Sequence, residues 1–418
     1  MLQGRKSATH PSQKGLGSMH VASSALQERV WYDTEHECWL VMGYEEGRFV
    51  LDQERIFAAS PDNPRDESSD DHAKSDETGP LADVFRQVVF LDGTAHTRVR
   101  EAMDVPLTRK VKAMRSYVQR GVDLFLAPLQ QIGRMDVEED FAAPLTLLGL
   151  AHMIGMDVPP AATLATMTAD EIVTLRTRLM TLRQWSNHLV DVTTGFFSVE
   201  ALQGVIAMHA HFHDLLSQKR DTLQDDIGCA YATAPAFHTD AERVINTMAL
   251  FSAGNVTTTT LIVNAIPLLL GNPGEFKRLQ RELTNDPPLI SKVVRELLRL
   301  ATPTQYVARF AKTDVIIGGH AIKQGDKIIL HLATMNRDST VFPDPDHFDI
   351  RRPNNHRHAA FGFGAHKCPG APFALLEATT ALGQLLRTPG LHLIQGQPLS
   401  VNRNENQLRY QHVYVGSA

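Results

Sequence analysis

The stretch whose residue types best suggest chemistry is Phe361-Gly362-Phe363-Gly364-Ala365-His366-Lys367-Cys368-Pro369-Gly370, which holds one of only three cysteines in the 418-residue chain. Glycine tolerates backbone angles closed to other residues, so the two glycines ahead of the cysteine predict a tight, hairpin-like loop. Such a loop can aim backbone N–H groups at the sulfur and stabilise the thiolate, the form that ligates metal. Pro369 has no N–H, so the donors must come from residues on either side of it. The run Ala371-Pro372-Phe373-Ala374-Leu375-Leu376-Glu377 then opens a long apolar helix, whose dipole favours negative charge just before its N-terminus. A second stretch, Phe251-Ser252-Ala253-Gly254-Asn255-Val256-Thr257-Thr258-Thr259-Thr260, puts hydroxyls inside an otherwise apolar helix. Threonines there either back-bond to the helix or, where Gly254 lets it open locally, offer a hydroxyl to a ligand. Leu250, Ala253 and Thr257 fall on one face. Glu296 and Arg299 stand at i, i+3, and His96 and Arg100 at i, i+4, so each pair shares a helix face.

The pattern F-G-x-G-x-H-x-C-x-G resembles the haem-binding loop of the cytochrome P450 family. The resemblance implies that Cys368 is the thiolate ligand of the iron of haem b. It further implies that the haem propionates are met by His96 and Arg100, which match H-x-x-x-R as a cationic pair, by Arg309 within Val307-Ala308-Arg309-Phe310-Ala311, and by His366 two residues before the cysteine. Glu296-Leu297-Leu298-Arg299 resembles the family's E-x-x-R motif. Arg352 is then the third member of a buried structural network, with Arg351 as its competitor. Ala253, Gly254 and Thr257 match A/G-G-x-acid-T, which makes Thr257, with Asn255, the catalytic residues that bind dioxygen and water and pass protons.

Val256 departs from the family pattern, because the usual acid at this position relays protons and valine can relay none. Water held by Thr257 and Asn255, together with a polar group of the substrate, is the favoured substitute. The alternative is atypical haem-thiolate chemistry: peroxide-driven, isomerase-like or ligand-binding only. The peroxide-driven relatives carry an arginine followed by proline on this helix, and Asn255-Val256 is neither.

These residues must be positioned by a mainly helical (α+β) scaffold, a helical domain with a smaller β-sheet region as in the cytochrome P450 fold. Apolar residues recur at three- and four-residue spacing through Val118–Leu129, Ala143–Ile154, Ile172–Leu189, Ile206–Leu216 and Val244–Leu270. Short strands follow at Val315–Ile317 and Lys327–Leu330, with turn signals at Gly318-Gly319 and Gln324-Gly325-Asp326. Nearer the N-terminus, Trp39–Met42 reads as a strand and Arg48–Leu51 as a helix. Residues 1–25 read as a disordered terminus and 26–418 as a single domain. Residues 61–80, rich in Asp, Glu, Ser, Pro and Gly, read as a solvated loop that could gate the pocket.

Composition is that of a globular protein, 43% hydrophobic and 21% charged. A net charge of −6 gives no reason to expect nucleic-acid binding. The scattered Cys38, Cys229 and Cys368 fit a reducing cytoplasm better than a disulfide framework. The polar stretch Met1–Ser24 has no secretory apolar core, and no run reaches the ~18 apolar residues of a membrane helix. The length leaves no room for a fused reductase, so the resemblance implies ferredoxin and ferredoxin reductase as separate electron donors. A basic cluster of Arg98, Arg109, Lys110, Lys112, Arg115 and Lys367 is the candidate docking face. The substrate is expected to be a small or medium-sized organic molecule with hydrogen-bonding groups, of the kind met in specialised metabolism. Thr304–Val307, Leu182–His188 and Asn402–Gln407 are the candidate pocket residues.

Overall fold

The computed structural model describes residues 28–60, 79–395, 399–404 and 406–417. The expected disordered terminus, and nearly all of the acidic stretch 61–80, lie outside the described residues. The N-terminal region contributes β1 (Val30–Asp33), β2 (Cys38–Val41), α1 (Tyr44–Asp52) and β3 (Phe57–Ala58). A helical body follows: α2 (Gly93–Ala113), α3 (Arg115–Ile132), a short β4 (Arg134–Asp136), α4 (Ala143–Ile154), α5 (Ala161–Leu164), α6 (Ala169–Thr193), α7 (Val199–Lys219), α8 (Ile227–Thr233), α9 (Asp240–Leu270), α10 (Pro273–Asn285) and α11 (Leu289–Leu300). Strands then return as β5 (Tyr306–Ala311), β6 (Val315–Ile317), β7 (His320–Ile322) and β8 (Lys327–His331). The chain closes with α12 (Leu332–Met335), α13 (Ala371–Leu385), β9 (His392–Leu393), β10 (Ser400–Asn404), β11 (Gln407–Gln411) and β12 (Tyr414–Gly416). Every apolar period read from the sequence falls inside a helix.

Helix ends follow local chemistry. Thr168 and Glu171 form a reciprocal capping box at the start of α6, and Thr239 accepts from the Glu242 N–H at the start of α9. α3 stops at Gly133, whose φ of 76° is left-handed. A turn of π-helix, Val137–Ala142, runs directly into α4.

α9 is the axis of the helical core and packs against α4, α6, α7 and α13. It is apolar nearly all round and long enough to span a bilayer, which corrects the expectation that no stretch reaches that length. Most of its apolar stretch is buried inside the fold, where an all-round hydrophobic helix is at home. The main sheet has the order β1-β2-β8-β5-β3. Its β2–β8 pair is parallel, with Trp39 opposite Ile328, so the sheet joins the two ends of the sequence. The antiparallel pairing of β5 with β8 sets Arg309 opposite Ile328. The β10–β11 hairpin is bridged to the start of β5 through Thr304 and Gln407.

Candidate active site

The cysteine loop is closed by a hydrogen bond from the Cys368 N–H to the Phe361 carbonyl (2.9 Å), inside which the Lys367 N–H meets the Gly364 carbonyl (3.1 Å). Both glycines are required. Gly362 and Gly364 have φ of 64° and 67°, and a Cβ on Gly364 would lie 2.1 Å from the Leu51 carbonyl oxygen of α1. The backbone N–H groups of Gly370 and Ala371 lie beside the Cys368 sulfur and act to lower its pKa. Both lie beyond Pro369, which has no N–H to offer. Burial pushes the thiol pKa up, and these N–H groups and the Arg100 guanidinium oppose that shift.

The expected cationic pair at His96 and Arg100 is not one. Arg100 bonds Asp104 through Nε (3.0 Å) and Nη2 (2.9 Å). Its Nη1 donates to the carbonyls of Ala365 (3.0 Å) and Lys367 (3.1 Å). It therefore staples α2 to the cysteine loop. His96 has its pKa lowered to about 3 by burial, with His366 and Arg100 adding to the effect, so it is neutral at ordinary pH. The rings of His96 and His366 lie 4.0 Å apart. Burial lowers the His366 pKa as well, and its Nε2 sits 3.4 Å from Asp92 Oδ1. Arg309 is buried on β5 and donates to the Ala308 carbonyl (2.7 Å). Burial lowers its pKa despite the nearby Asp92.

Behind the loop, Glu296 is fully buried between two arginines. Arg299 reaches it through Nε (2.9 Å) and Nη2 (2.8 Å), and Arg352 through Nε (2.9 Å). Both guanidinium groups also bond backbone carbonyls of residues 336–347, including that of His347. Arg351 instead pairs with Glu282 at the surface, so the choice between the two neighbours falls on Arg352.

On α9, Asn255, Val256 and Thr258–Thr260 are buried, whereas Ala253 is exposed and Thr257 half-exposed. The helix thus has one open window, on the face that carries Ala253 and Thr257. Thr257 Oγ1 donates to the Ala253 carbonyl (2.7 Å), one turn back. Gly254 provides close approach: its Cβ would meet Leu150 Cδ2 of α4 at 2.9 Å. Asn255 lies on the opposite side of the helix. Its Oδ1 accepts from Thr146 of α4 (2.9 Å) and from Thr259 (3.3 Å), and this corrects its assignment beside Thr257 in the pocket.

Of the candidate pocket residues, Gln305 and Tyr306 are tied through their N–H groups to the Asn406 carbonyl (2.9 Å) and Asn406 Oδ1 (3.1 Å), so these two stretches are adjacent. On α6, Leu182 and Ser186 are buried, and Arg183 is held by Glu138 and Glu139.

These groups fit haem. A sulfur served by two N–H donors suits an iron-bound thiolate. His96 Nε2 is buried with no hydrogen-bond partner among the described residues. Together with the buried guanidinium of Arg309, it suits an anionic acceptor such as a propionate carboxylate.

A cavity of about 310 Å³ opens nearby, lined by Val111, Lys112 and Arg115 at the α2–α3 junction, Arg295 on α11, and Pro372, Leu375 and Leu376 on α13. The basic cluster contracts onto it. Arg98 is taken by Glu242, and Arg109 by Asp225, while Lys110 bonds the Asp225 carbonyl. Sequence reasoning missed Arg295, whose only signal is its place one turn before Arg299, and Thr146, which has none.

The Cytochrome P450 family matches residues 207–409. The biotin biosynthesis cytochrome P450 of Bacillus subtilis (strain 168) is 32% identical over 360 residues, 85% of this chain and 84% of that protein. Cytochrome P450 monooxygenase PikC of Streptomyces venezuelae is 29% identical over 371 residues, 85% of this chain and 79% of that one. Among solved structures, P450BioI in complex with hexadec-9Z-enoic acid ligated acyl carrier protein superposes with a TM-score of 0.79 at 28% identity, over 94% of this chain and 96% of that one.

Proposed function

This chain belongs to the cytochrome P450 family, as a monooxygenase that binds haem b, and on that footing we propose that Cys368 is its iron ligand and Thr257 its oxygen-side hydroxyl. The observation that carries the assignment is the Cys368 sulfur, which has the N–H groups of Gly370 and Ala371 beside it in a loop only glycine can close. His96, His366 and Arg309 are the residues that would hold the propionates, and Arg100 fixes the loop beneath them.

Haem, when bound, supplies the reductive activation of dioxygen and the insertion of one oxygen atom into substrate. The protein's part is positional and protonic. The Gly370 and Ala371 N–H groups favour the anionic form of the sulfur, against the burial that pushes its pKa up. Thr257 Oγ1 holds one proton, now given to the Ala253 carbonyl, and rotation of the hydroxyl toward the open window frees it for a water molecule. Val256, 4% exposed, can neither give nor take a proton, so the relay runs through Thr257, water and the substrate's own polar group. That buried valine also favours a second reading, atypical haem-thiolate chemistry without ordinary turnover of dioxygen.

The family uses a substrate and redox partners. Lys112, Arg115 and Arg295 around the apolar floor of Pro372, Leu375 and Leu376 suit an acidic donor of the ferredoxin type, served by its reductase, in a cytoplasmic setting. The substrate in this reading is a small or medium-sized molecule with hydrogen-bonding groups, set between Thr304–Val307 and the β10–β11 turn. The single domain over residues 26–418 is part of the same proposal.

The deciding experiment is the visible spectrum of the purified protein, reduced and exposed to carbon monoxide. The red-shifted Soret band of a thiolate-ligated haem is expected, and its absence would overturn the assignment of Cys368. Consumption of NADPH coupled to an oxygenated product, with ferredoxin and reductase supplied, is the outcome that excludes the second reading.

A further inference from the structure

The side of α9 that faces away from the window carries a polar cluster that the reaction itself does not use. Thr146, Asn255 and Thr259 are buried to 0%, 2% and 2% exposure. Thr146 Oγ1 lies 2.9 Å from both Asn255 Oδ1 and Thr259 Oγ1, and 3.1 Å from the Ala143 carbonyl. Thr259 Oγ1 reaches Asn255 Oδ1 at 3.3 Å. Three polar side chains in an apolar interior are tolerated here because they satisfy one another.

The placement of the cluster is specific. At about 100° per residue, Asn255 and Thr259 sit some 120–160° around the helix from Ala253 and Thr257. One turn along α4 from Thr146 is Leu150, whose Cδ2 occupies the notch left by Gly254. α4 therefore grips α9 at two points a turn apart, a polar clasp and a steric notch. A single contact lets a helix roll about its axis; two contacts offset along it fix both roll and depth. The π-helical turn Val137–Ala142 leads straight into the gripping face of α4, and the Ala143 carbonyl just after it lies 3.1 Å from Thr146 Oγ1. A π turn changes the angular phase of the residues beyond it and is common at functional sites.

We propose that Thr146, Asn255 and Thr259 form a positioning brace that sets the roll of α9, and so the orientation in which Ala253 and Thr257 meet ligands at the haem. The brace rests on the assignment of Thr257 to the oxygen side. It acts through Thr257 and touches no substrate. Loss of one hydroxyl leaves the others underbonded and lets the turn 253–257 loosen and roll.

The test compares Thr146→Val, which keeps volume and removes the donor, with Thr146→Ser, which keeps the hydroxyl; Thr259→Val removes a hydroxyl from the other helix. Two readouts apply to the full chain: hydrogen exchange of the peptide spanning 250–260, with and without haem, and the infrared C–O stretch of the ferrous carbon monoxide complex. In both valine variants exchange should quicken about fivefold, the effect of losing one net hydrogen bond, and the C–O band should shift or broaden. Thr146→Ser should track the parent protein. Valine variants that match the parent in both readouts overturn the brace. A parent protein without the thiolate Soret band overturns the haem-thiolate assignment instead, and exchange in the haem-free chain still decides whether the brace holds the turn.

Discussion

The cysteine loop and the α9 window, the two sides assigned to the haem, are built by different means. The loop is made of backbone: a carbonyl closes it, two left-handed glycines turn it, and peptide N–H groups serve the sulfur. Its function depends on which residues lack side chains. The window is made of a helix face, and its function depends on the angle at which that face is presented. A backbone site tolerates few substitutions at any position it includes. A face site tolerates many, provided the roll of the helix is kept.

The sharpest break in the comparison is Cys368→Ser, which should abolish the thiolate-type carbon monoxide spectrum and turnover while circular dichroism shows the fold kept. Next, Glu296→Gln strands the buried charges of Arg299 and Arg352. It should cost roughly 3–5 kcal/mol in denaturant unfolding, whereas Arg351→Ala, at the surface, should stay within about 0.5 kcal/mol. Gly364→Ala adds a Cβ against the Leu51 carbonyl at a left-handed residue. It should destabilise by at least about 1–2 kcal/mol and lower haem retention on a desalting column. On the other side, Thr257→Val should leave both the fold and the thiolate spectrum intact and raise the peroxide released per NADPH. An unchanged peroxide yield would place the working hydroxyl elsewhere.

The last prediction concerns pH. Burial holds the pKa values of His96 and His358 at about 3 and that of His331 at about 4, against about 6.5 in the unfolded chain. The unfolded state binds more protons between these limits, so stability is full above pH ~6.5 and falls as the pH drops toward 4. Melting temperatures of the haem-free protein across this range check it, and His358→Gln should flatten part of the slope.

Residues that act locally were legible in the sequence. The five apolar periods located their helices because burial imposes a 3.6-residue repeat. The paired glycines announced the cysteine loop because no other residue takes those angles. What escaped was direction and distance. Asn255 lies two residues from Thr257, yet helical geometry turns it to the far side. Its partner Thr146 is 109 residues away and carries no local mark. Arg100 sits at the right spacing from His96, but its guanidinium is spent on Asp104 and loop carbonyls that fold beside it from elsewhere in the chain. The apolar all-round pattern of α9 is the same whether the surroundings are lipid or protein, and only packing tells them apart.

The seam between the ends of the chain bears on how the molecule is made. Tyr44 Oη donates to the Arg357 carbonyl 313 residues later (2.7 Å), and Trp39 Nε1 to Asp326, 287 residues later (2.8 Å). Contacts of such sequence separation are slow to form and cannot form during most of synthesis, because the second partner has not yet left the ribosome. The N-terminal strands and α1 must therefore wait with one sheet edge unpaired, an aggregation hazard. The cysteine loop settles on α1 only when nearly the whole chain is available, which makes cofactor capture one of the last events in the protein's assembly.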